Sequence, residues 1–175
     1  MDNKEIKAQL EEIENIKKVR ELAGKINEVP VAMLTTTSEI GAIRSRPMQT
    51  HPVKDDGIIW FICSKTSRKC VEIAANPKVN LSYTAPADNL YVSINGTATI
   101  SNDSSKIDEL WSEMFKAWFP KGKADPDVVL LRVEISHVEY WDAPDSIVSQ
   151  LISVVKATLK GNPYAVGENK NVELS

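Results

Sequence analysis

The chain has 175 residues, of which 42% are hydrophobic and 26% charged, and its formal net charge is −3. This length favours one domain with its own core, and the composition excludes collagen-like, mucin-like and wholly disordered proteins. The first five residues lack the basic and then apolar layout of a signal peptide, and no apolar run approaches the ~20 residues of a membrane span. Two cysteines are too few for a disulfide framework, so we expect a cytoplasmic protein.

The charge is distributed unevenly along the chain. Residues 1–43 carry a net charge of −2, residues 44–69 carry +4 and residues 70–175 carry −5. One compact basic block in an acidic chain indicates a local anion site, whereas a nucleic-acid surface would require a strongly basic domain. A solvated charged loop is the alternative interpretation of the block. We expect neither a nucleic acid nor a membrane as partner.

The first half of the chain changes its apolar period at Pro30. Before it, apolar residues at spacings of three and four predict a helix over residues 3–27, packed on its own domain or on a partner subunit. After it, alternation predicts strands over residues 31–37, 43–51 and 58–63, followed by a helix over residues 64–75 that Asn76-Pro77 ends.

The second half continues with alternating strands and short helices. Strands are predicted over residues 79–83, 90–100 and 128–141, with a bulge at Gly96 in the second of them. Helices are predicted over residues 103–119 and 146–159, and the polar residues 161–175 are expected to form a mobile tail beyond a domain of residues 1–160. About six short strands with helices between them favour a mainly β protein, a small closed or partly closed barrel with helices outside.

Two basic clusters fall on neighbouring segments of this predicted barrel. The first, Arg44-Ser-Arg-Pro-Met-Gln49, lies on the second strand, and the second, Ser64-Lys-Thr-Ser-Arg-Lys69, lies at a predicted helix start. A helix start presents free backbone N–H groups and the positive end of the helix dipole, and Arg and Lys add charge-assisted hydrogen bonds to phosphate oxygens. The second cluster therefore predicts a phosphate site, with an exposed, merely capped turn as the alternative.

The order of several short motifs carries a family resemblance. The segments are Arg44-Ser-Arg-Pro-Met-Gln, Trp60-Phe-Ile-Cys-Ser-Lys-Thr-Ser-Arg-Lys, Asn76-Pro-Lys-Val-Asn-Leu and Tyr91-Val-Ser-Ile-Asn-Gly. In this order they resemble the pyridoxamine 5′-phosphate oxidase-like superfamily of FMN-binding proteins. The segments Trp118-Phe-Pro-Lys-Gly and Val129 to Asp142 are similar to its bacterial general stress protein branch. The resemblance covers roughly residues 5–165 and implies a split β-barrel of Greek-key order.

The resemblance also implies a cofactor site shared by two chains. It implies a homodimer with FMN at the subunit interface, where Arg68 and Lys69 hold the phosphate, preceded by Ser67. Trp141 approaches the flavin from the partner subunit, and Tyr91 stands where the oxidases usually have a glutamine near the flavin. The FMN-binding strand segment consists of Arg44, Ser45, Arg46, Pro47, Met48 and Gln49, and the pair along the flavin consists of Ile62 and Cys63.

Two departures from the oxidases bear on activity. Gln49 stands where they have a lysine for the substrate phosphate, and Asp142-Ala-Pro-Asp145 follows Trp141 where they have an Arg-Leu-His-containing segment. Both changes remove cations that a phosphorylated amine would need, so we predict no pyridoxamine 5′-phosphate oxidase activity. The remaining functions are an FMN-dependent oxidoreductase of the general stress type, using NAD(P)H or another small reduced donor, and a non-enzymatic flavin-binding stress-response protein. A barrel of this kind that binds haem or a deazaflavin is a third possibility.

The other candidate residues carry less chemistry, and no catalytic residue is assigned. His51 and His137 have no metal-ligand neighbour at useful spacing, so no metal site is expected. Cys63 and Cys70 lack the CxxC spacing of redox motifs, and Cys63 is expected in the barrel wall. The aromatic residues at helical spacing are expected to pack in the core, with two of them alternatively at the mouth of a flavin pocket. They are Trp111, Phe115, Trp118 and Phe119, of which the last two are the candidates for the mouth.

Overall fold

The computed structural model describes residues 3–142 and 168–173, and the side chains of residues 13–141. The helices are α1 (Asn3–Ile26), α2 (Arg68–Ala75) and α3 (Ser104–Leu110). The strands are β1 (Val31–Thr37), β2 (Ile43–Gln49), β3 (Ile58–Ser64), β4 (Lys78–Ala85), β5 (Leu90–Ser101), β6 (Val128–Asp142) and β7 (Glu168–Glu173). Short 3-10 turns cover Pro86–Asp88, Glu113–Ala117 and Gly122–Ala124.

The strands form one antiparallel sheet in the order β2-β1-β4-β5-β6-β3, with β7 beside β6. The edge strands β2 and β3 come close to each other, so the sheet curls into a partly closed barrel. The pairing of β1 with β4 and of β3 with β6 is non-sequential, as expected of Greek-key order. The prediction of a mainly β, antiparallel fold is confirmed.

Alternation along the strands builds the barrel interior. Leu34, Phe61, Leu81 and Ile94 are fully buried there, and the buried Ile26 shows that the C-terminal part of α1 packs on the same core. A second apolar cluster fills the space between the outer face of β3 and β6 and the segment from α3 to Phe119. Its buried members are Ile62, Ile107, Phe115, Phe119, Val128 and Leu130.

The predicted bulge is present in β5. The register between β5 and β6 shifts between Asn95 and Gly96, and a Cβ at Gly96 would lie 2.6 Å from the backbone oxygen of Glu134. Only glycine permits this close approach of the two strands.

Two predicted helices are shorter than the sequence indicates. α2 begins at Arg68 rather than Ser64, because Ser64 ends β3 and residues 64–67 form a turn closed by a bond from the Ser67 N–H to the Ser64 oxygen. The helix predicted over residues 103–119 ends at Leu110, because Trp111 is extended (φ −66°, ψ 133°), and a 3-10 turn follows. None of the helices within the described residues is long and apolar enough to cross a bilayer.

The C-terminal segment differs from its expectation. Glu168–Glu173 pairs with His137–Asp142 as β7, whereas the polar composition predicts a mobile tail. Backbone hydrogen bonds between strands do not depend on side-chain polarity. The free edge of β6 over residues 137–142 can therefore pair with this polar segment. The helix predicted over residues 146–159 lies outside the described residues.

Candidate functional site

Both basic clusters of the sequence meet at one open groove. β2 contributes Arg44, Ser45 and Arg46, and the start of α2 contributes Ser67, Arg68 and Lys69. The cavity volume is about 580 Å³. We call this the basic groove. It brings together six of the residues that the sequence predicts for cofactor binding, although β3 separates β2 from α2 along the chain.

The start of α2 has the features of an anion site. Ser67 is the N-cap residue, but its hydroxyl donates to the Ser64 oxygen at 2.6 Å and caps no backbone N–H of α2. No acidic residue lies in the first turn. Among the described residues, none bonds to the side chain of Arg68, which is exposed, or of Lys69, which is half-buried. Two unpaired cations thus flank the positive end of the helix dipole.

A buried carboxylate holds the two arginines of β2. Glu72, on α2, is only 3% exposed. It accepts hydrogen bonds from Thr36 Oγ1 at 2.5 Å, Arg44 Nη1 at 2.6 Å and Arg46 Nη2 at 2.9 Å. These partners, the Thr36 hydroxyl first, lower the pKa of Glu72 against the opposing effect of its burial. The Arg46 Nη1 also donates to Thr36 Oγ1 at 2.5 Å, so Thr36, Arg46 and Glu72 form a ring of hydrogen bonds.

The charge balance of the groove remains positive. Glu72 offsets one of four cations, and the Arg44 side chain keeps 37% of its surface exposed. A guanidinium has five N–H donors, so Arg44 retains donors for a ligand while Glu72 fixes its orientation. Sequence reasoning missed Glu72. The signal that could have found it is the pair Arg44 and Arg46, two cations on the inward face of one strand that need a counter-charge.

A second cavity of about 400 Å³ adjoins the basic groove and shares Arg44 and Arg68 with it. Its other lining residues are Ser38, Glu39, Ile40, Val71 and Glu72. Ile40 and Val71 are 88% and 59% exposed. The groove therefore extends past its cations onto a partly apolar surface.

The rest of the predicted strand segment lies away from the groove. Met48 is buried in the barrel core, Pro47 is exposed and Gln49 is half-buried, and none of them lines the groove. Side chains alternate along β2, and the groove contacts only its first half. Ser45 differs from both arginines in facing outward, where it bonds to Thr35 Oγ1 at 2.7 Å.

Ile62 and Cys63 are both buried, on opposite faces of β3. Cys63 lies in the barrel core, as expected for a wall residue, and Ile62 lies in the second apolar cluster. Neither side chain lines the basic groove. Their predicted contact with a flavin is therefore not visible in the groove of the single chain.

Cys63 faces the second cysteine of the chain. The Cys63 and Cys70 sulfurs are 3.7 Å apart, and the Ser67 hydroxyl donates to the Cys70 sulfur at 3.5 Å. The hydrogen bond from the Cys63 thiol, then that from Ser67 and the charge of Lys69, lower the pKa of Cys70 to about 6, although burial opposes this. The same hydrogen bond and burial raise the pKa of Cys63.

Tyr91 and Trp141 form a separate pair. They lie opposite each other on β5 and β6, and Tyr91 is 45% exposed on the outer face of the sheet. The cross-strand row that starts at Ser45 runs through Thr35, Asn80 and Asn95. Tyr91 is four residues further along β5 from this row. At ~4.8 Å per strand and ~3.3 Å per residue, it lies about 20 Å along the sheet from Ser45.

The remaining candidates are structural within the described part of the chain. The ring of His51 lies 5.8 Å from that of Phe115, and its burial lowers its pKa. His137 lies on the outer face, 3.6 Å from a Glu139 oxygen. No group of three His, Cys, Asp or Glu side chains among the described residues could hold a metal ion. Phe119 is buried and Trp118 is 67% exposed, so only Trp118 is placed to meet a ligand or partner.

Comparison with solved structures supports the predicted architecture. The chain is similar to a general stress protein 26 from Jannaschia sp. CCS1, with 29% identity, a TM-score of 0.71, and coverage of 90% of this chain and 98% of that one. It is also similar to the general stress FMN/FAD binding protein of Xanthomonas citri, with 27% identity, a TM-score of 0.63, and coverage of 73% and 89%. The split-barrel fold predicted from the sequence is confirmed.

Sequence comparison agrees with the structural one. The Neurospora crassa protein bli-3 is 24% identical over 165 residues, which cover 89% of this chain and 79% of that protein. The family model described as pyridoxamine 5′-phosphate oxidase like matches residues 14–165, most of the chain. The chain therefore belongs to the pyridoxamine 5′-phosphate oxidase like family.

Proposed function

We propose that this protein binds FMN through the basic groove, as a homodimer, and that it is a flavin-dependent oxidoreductase using NAD(P)H or another small reduced donor. The observation that carries the proposal is the pair Arg68 and Lys69, unpaired among the described residues, at the uncapped start of α2. A phosphate dianion placed there gains charge-assisted bonds and the field of the helix.

The rest of the groove fits a phosphate ester. Its volume, about 580 Å³, is within the usual range for small-molecule sites. Arg44 and Arg46 are already oriented by Glu72, so little side-chain freedom is lost when a ligand binds. The adjoining cavity, with Ile40 and Val71, gives an apolar surface on which the non-phosphate part of a ligand could lie.

The position of Tyr91 and Trp141 supports the homodimer. Tyr91 is about 20 Å along the sheet from Ser45 of its own groove, on the outer face, and Trp141 lies opposite it on the next strand. In the homodimer that the family resemblance implies, Trp141 of the partner subunit completes the site. The flavin-binding description of the Xanthomonas citri relative is consistent with this assignment.

In this proposal, bound flavin supplies hydride and electron transfer. The chain's own residues bind and orient: Arg68 and Lys69 balance the phosphate charge, and Glu72 holds Arg44 beside them. Gln49 supplies no cation for a second phosphate, so a phosphorylated amine lacks the contact that a lysine at this position would give. We therefore propose a function other than pyridoxamine 5′-phosphate oxidation.

A flavin titration of matched variants tests the proposal. Arg68→Ala with Lys69→Ala removes two charge-assisted contacts of about 1.5–3 kcal/mol each, so the FMN dissociation constant should rise at least about 100-fold. The control is Lys65→Ala, which removes an exposed cation of the same turn that lines neither cavity. Quenching of flavin fluorescence gives the dissociation constants. Equal affinity of the double variant and the control would refute the phosphate site.

A further inference from the structure

We propose that Cys63 and Cys70 are a peroxide-oxidised thiol pair that closes a disulfide beneath the basic groove. Their sulfurs are 3.7 Å apart, in van der Waals contact, and a disulfide bond of about 2.05 Å requires an approach of less than ~2 Å. They are the only two cysteines of the sequence, so each has one intramolecular partner.

The surroundings of the pair distinguish the two thiols. Cys70 stands in the first turn of α2, within 3.5 Å of the Ser67 hydroxyl and under the charge of Lys69. Cys63 is equally buried but lies in the middle of the barrel wall on β3, where neither a groove cation nor the Ser67 hydroxyl contacts its sulfur among the described residues. Cys70 is therefore the nucleophile and Cys63 the resolving thiol. The Ser64 oxygen lies 3.3 Å from the Cys70 sulfur and accepts its S–H hydrogen bond only while Cys70 is protonated.

The oxidant is a hydroperoxide, and the reaction balances in two steps. The Cys70 thiolate attacks one peroxide oxygen, the O–O bond breaks, and the sulfur becomes a sulfenic acid while the other oxygen leaves and takes a proton. The Cys63 sulfur then attacks the Cys70 sulfur while its proton passes to the S–OH oxygen, so the S–S bond forms, the S–O bond breaks and water leaves. With hydrogen peroxide, two thiols are oxidised by two electrons, one peroxide is reduced, and two waters form.

Access to the pair runs through the groove. Both cysteines are buried, but Ser67 lines the groove and touches Cys70, so a small peroxide needs to pass only this half-buried residue. Burial also keeps each sulfur away from other chains, which favours the intramolecular disulfide. Drawing Cys70 toward β3 displaces the start of α2, where Arg68 and Lys69 lie. The effect of this displacement on flavin binding rests on the proposed function, whereas the disulfide itself does not.

Counting thiols in the native protein tests the disulfide. The full chain is treated with hydrogen peroxide and then denatured in the presence of N-ethylmaleimide, which alkylates free thiols. Its mass is measured by mass spectrometry. Reduced protein should take two adducts, and oxidised protein should take none, weigh two hydrogen atoms less, stay monomeric on a non-reducing denaturing gel, and recover with dithiothreitol. Persistence of both thiols, oxidation beyond the sulfenic acid without a disulfide, or a disulfide only between chains would each overturn the proposal.

Variants assign the roles, and flavin affinity tests the coupling. In the variant Cys63→Ser, peroxide should add one oxygen to Cys70, which dimedone traps. In the variant Cys70→Ser, Cys63 should remain a free thiol; the opposite pattern overturns the assignment.

The oxidised wild-type protein should bind FMN about tenfold more weakly than the reduced protein, because a ligand site must be held to within ~0.5 Å. Unchanged affinity with a proven disulfide overturns the coupling alone. Equal FMN affinity of the Arg68 and Lys69 double variant and its Lys65→Ala control would overturn the proposed function but leave the thiol count standing.

Discussion

Glu72 Oε1 lies 2.6 Å from Arg44 Nη1, and this ion pair ties α2 to β2 across the wall of the basic groove. The carboxylate side is almost fully buried, while the arginine side reaches solvent. A buried ion pair contributes little net stability, but removing one partner leaves the other charge uncompensated. The ion pair therefore contributes more to the position of the Arg44 side chain than to the free energy of unfolding.

Replacing Glu72 with Gln should weaken both the fold and the groove. The amide keeps the size of the side chain but loses the charge shared with Arg44 and Arg46, so we expect the free energy of unfolding to fall by about 2 kcal/mol. FMN affinity should fall as well, because Arg44 is no longer oriented. Urea unfolding and flavin titration measure the two effects. The control is Asp55→Asn, which removes an exposed ion pair to Arg20 and should change both far less. A larger effect of the control would contradict this role of Glu72.

The contribution of Glu72 should depend on pH in a defined direction. Its pKa is lower in the folded chain than the ordinary value of 4.5. The charged form therefore stabilises the fold fully above the unfolded-state value, and this contribution is lost as the pH falls through the lower folded-state value. The difference in unfolding free energy between wild type and Glu72→Gln should be constant above about pH 5 and shrink below it. A difference that grows on acidification would show that the carboxylate is not paired as described.

The proposed sharing of the site can be tested by mixing two inactive chains. Trp141→Ala lacks the residue expected from the partner, and Arg68→Ala with Lys69→Ala lacks the phosphate contacts. If the site is built from both chains, random mixed dimers restore one intact site each, or about a quarter of all sites. Flavin binding after co-refolding measures the recovery. No recovery in dimers that native mass spectrometry shows to be mixed would place the whole site on one chain.

Donor assays separate oxidoreductase from flavin carrier. The FMN-loaded protein should oxidise NADH or NADPH, and it should form no peroxide from pyridoxine or pyridoxamine 5′-phosphate. The variant with Arg68→Ala and Lys69→Ala is the control, because it should lose the oxidation together with the flavin. Tight flavin binding without oxidation of either nucleotide would leave the non-enzymatic stress-response function.

The bulge of β5 should not tolerate a side chain. Gly96→Ala brings a Cβ to 2.6 Å from the Glu134 oxygen and 2.8 Å from a Val133 methyl group, so the strands must separate. We expect a loss of about 2–3 kcal/mol in unfolding free energy. Gly24→Ala in α1 is the matched control, because nothing lies within 4 Å of its new Cβ. It should stabilise the helix by about 0.5–1 kcal/mol. Similar effects of the two changes would contradict the bulge geometry.

Local patterns were enough to predict β1 to β6, but they did not predict β7 or the ends of the helices. The alternation of Val31–Thr37 predicts β1 with its observed bounds, because one face of the strand packs in the core. The late start of α2 depends on the Lys65 N–H, which donates to the Asp127 oxygen at 2.7 Å, and on Asp127 Oδ1, which accepts from the Thr66 N–H at 3.0 Å. Such a distant partner leaves no trace in the local pattern.

In the candidate site, too, some residues could be predicted from the sequence and others could not. Charge in the sequence predicts Arg44, Arg68 and Lys69 as one basic block, and the structure brings them to one groove. Glu72 reads in the sequence as an ordinary helix glutamate. Its burial follows only from the docking of α2 against the β1–β2 hairpin.

The network around Glu72 also bears on the order of folding. Its partners Thr36, Arg44 and Arg46 are 36, 28 and 26 residues away in the chain. These partners lie on the β1–β2 hairpin and Glu72 lies on α2, so a long loop must close before any of the bonds to Glu72 forms. The groove therefore comes into existence late, with the closure of the barrel. Flavin binding measured during refolding would therefore detect only molecules whose barrel has closed. Partly folded molecules, which lack the groove, would not be detected.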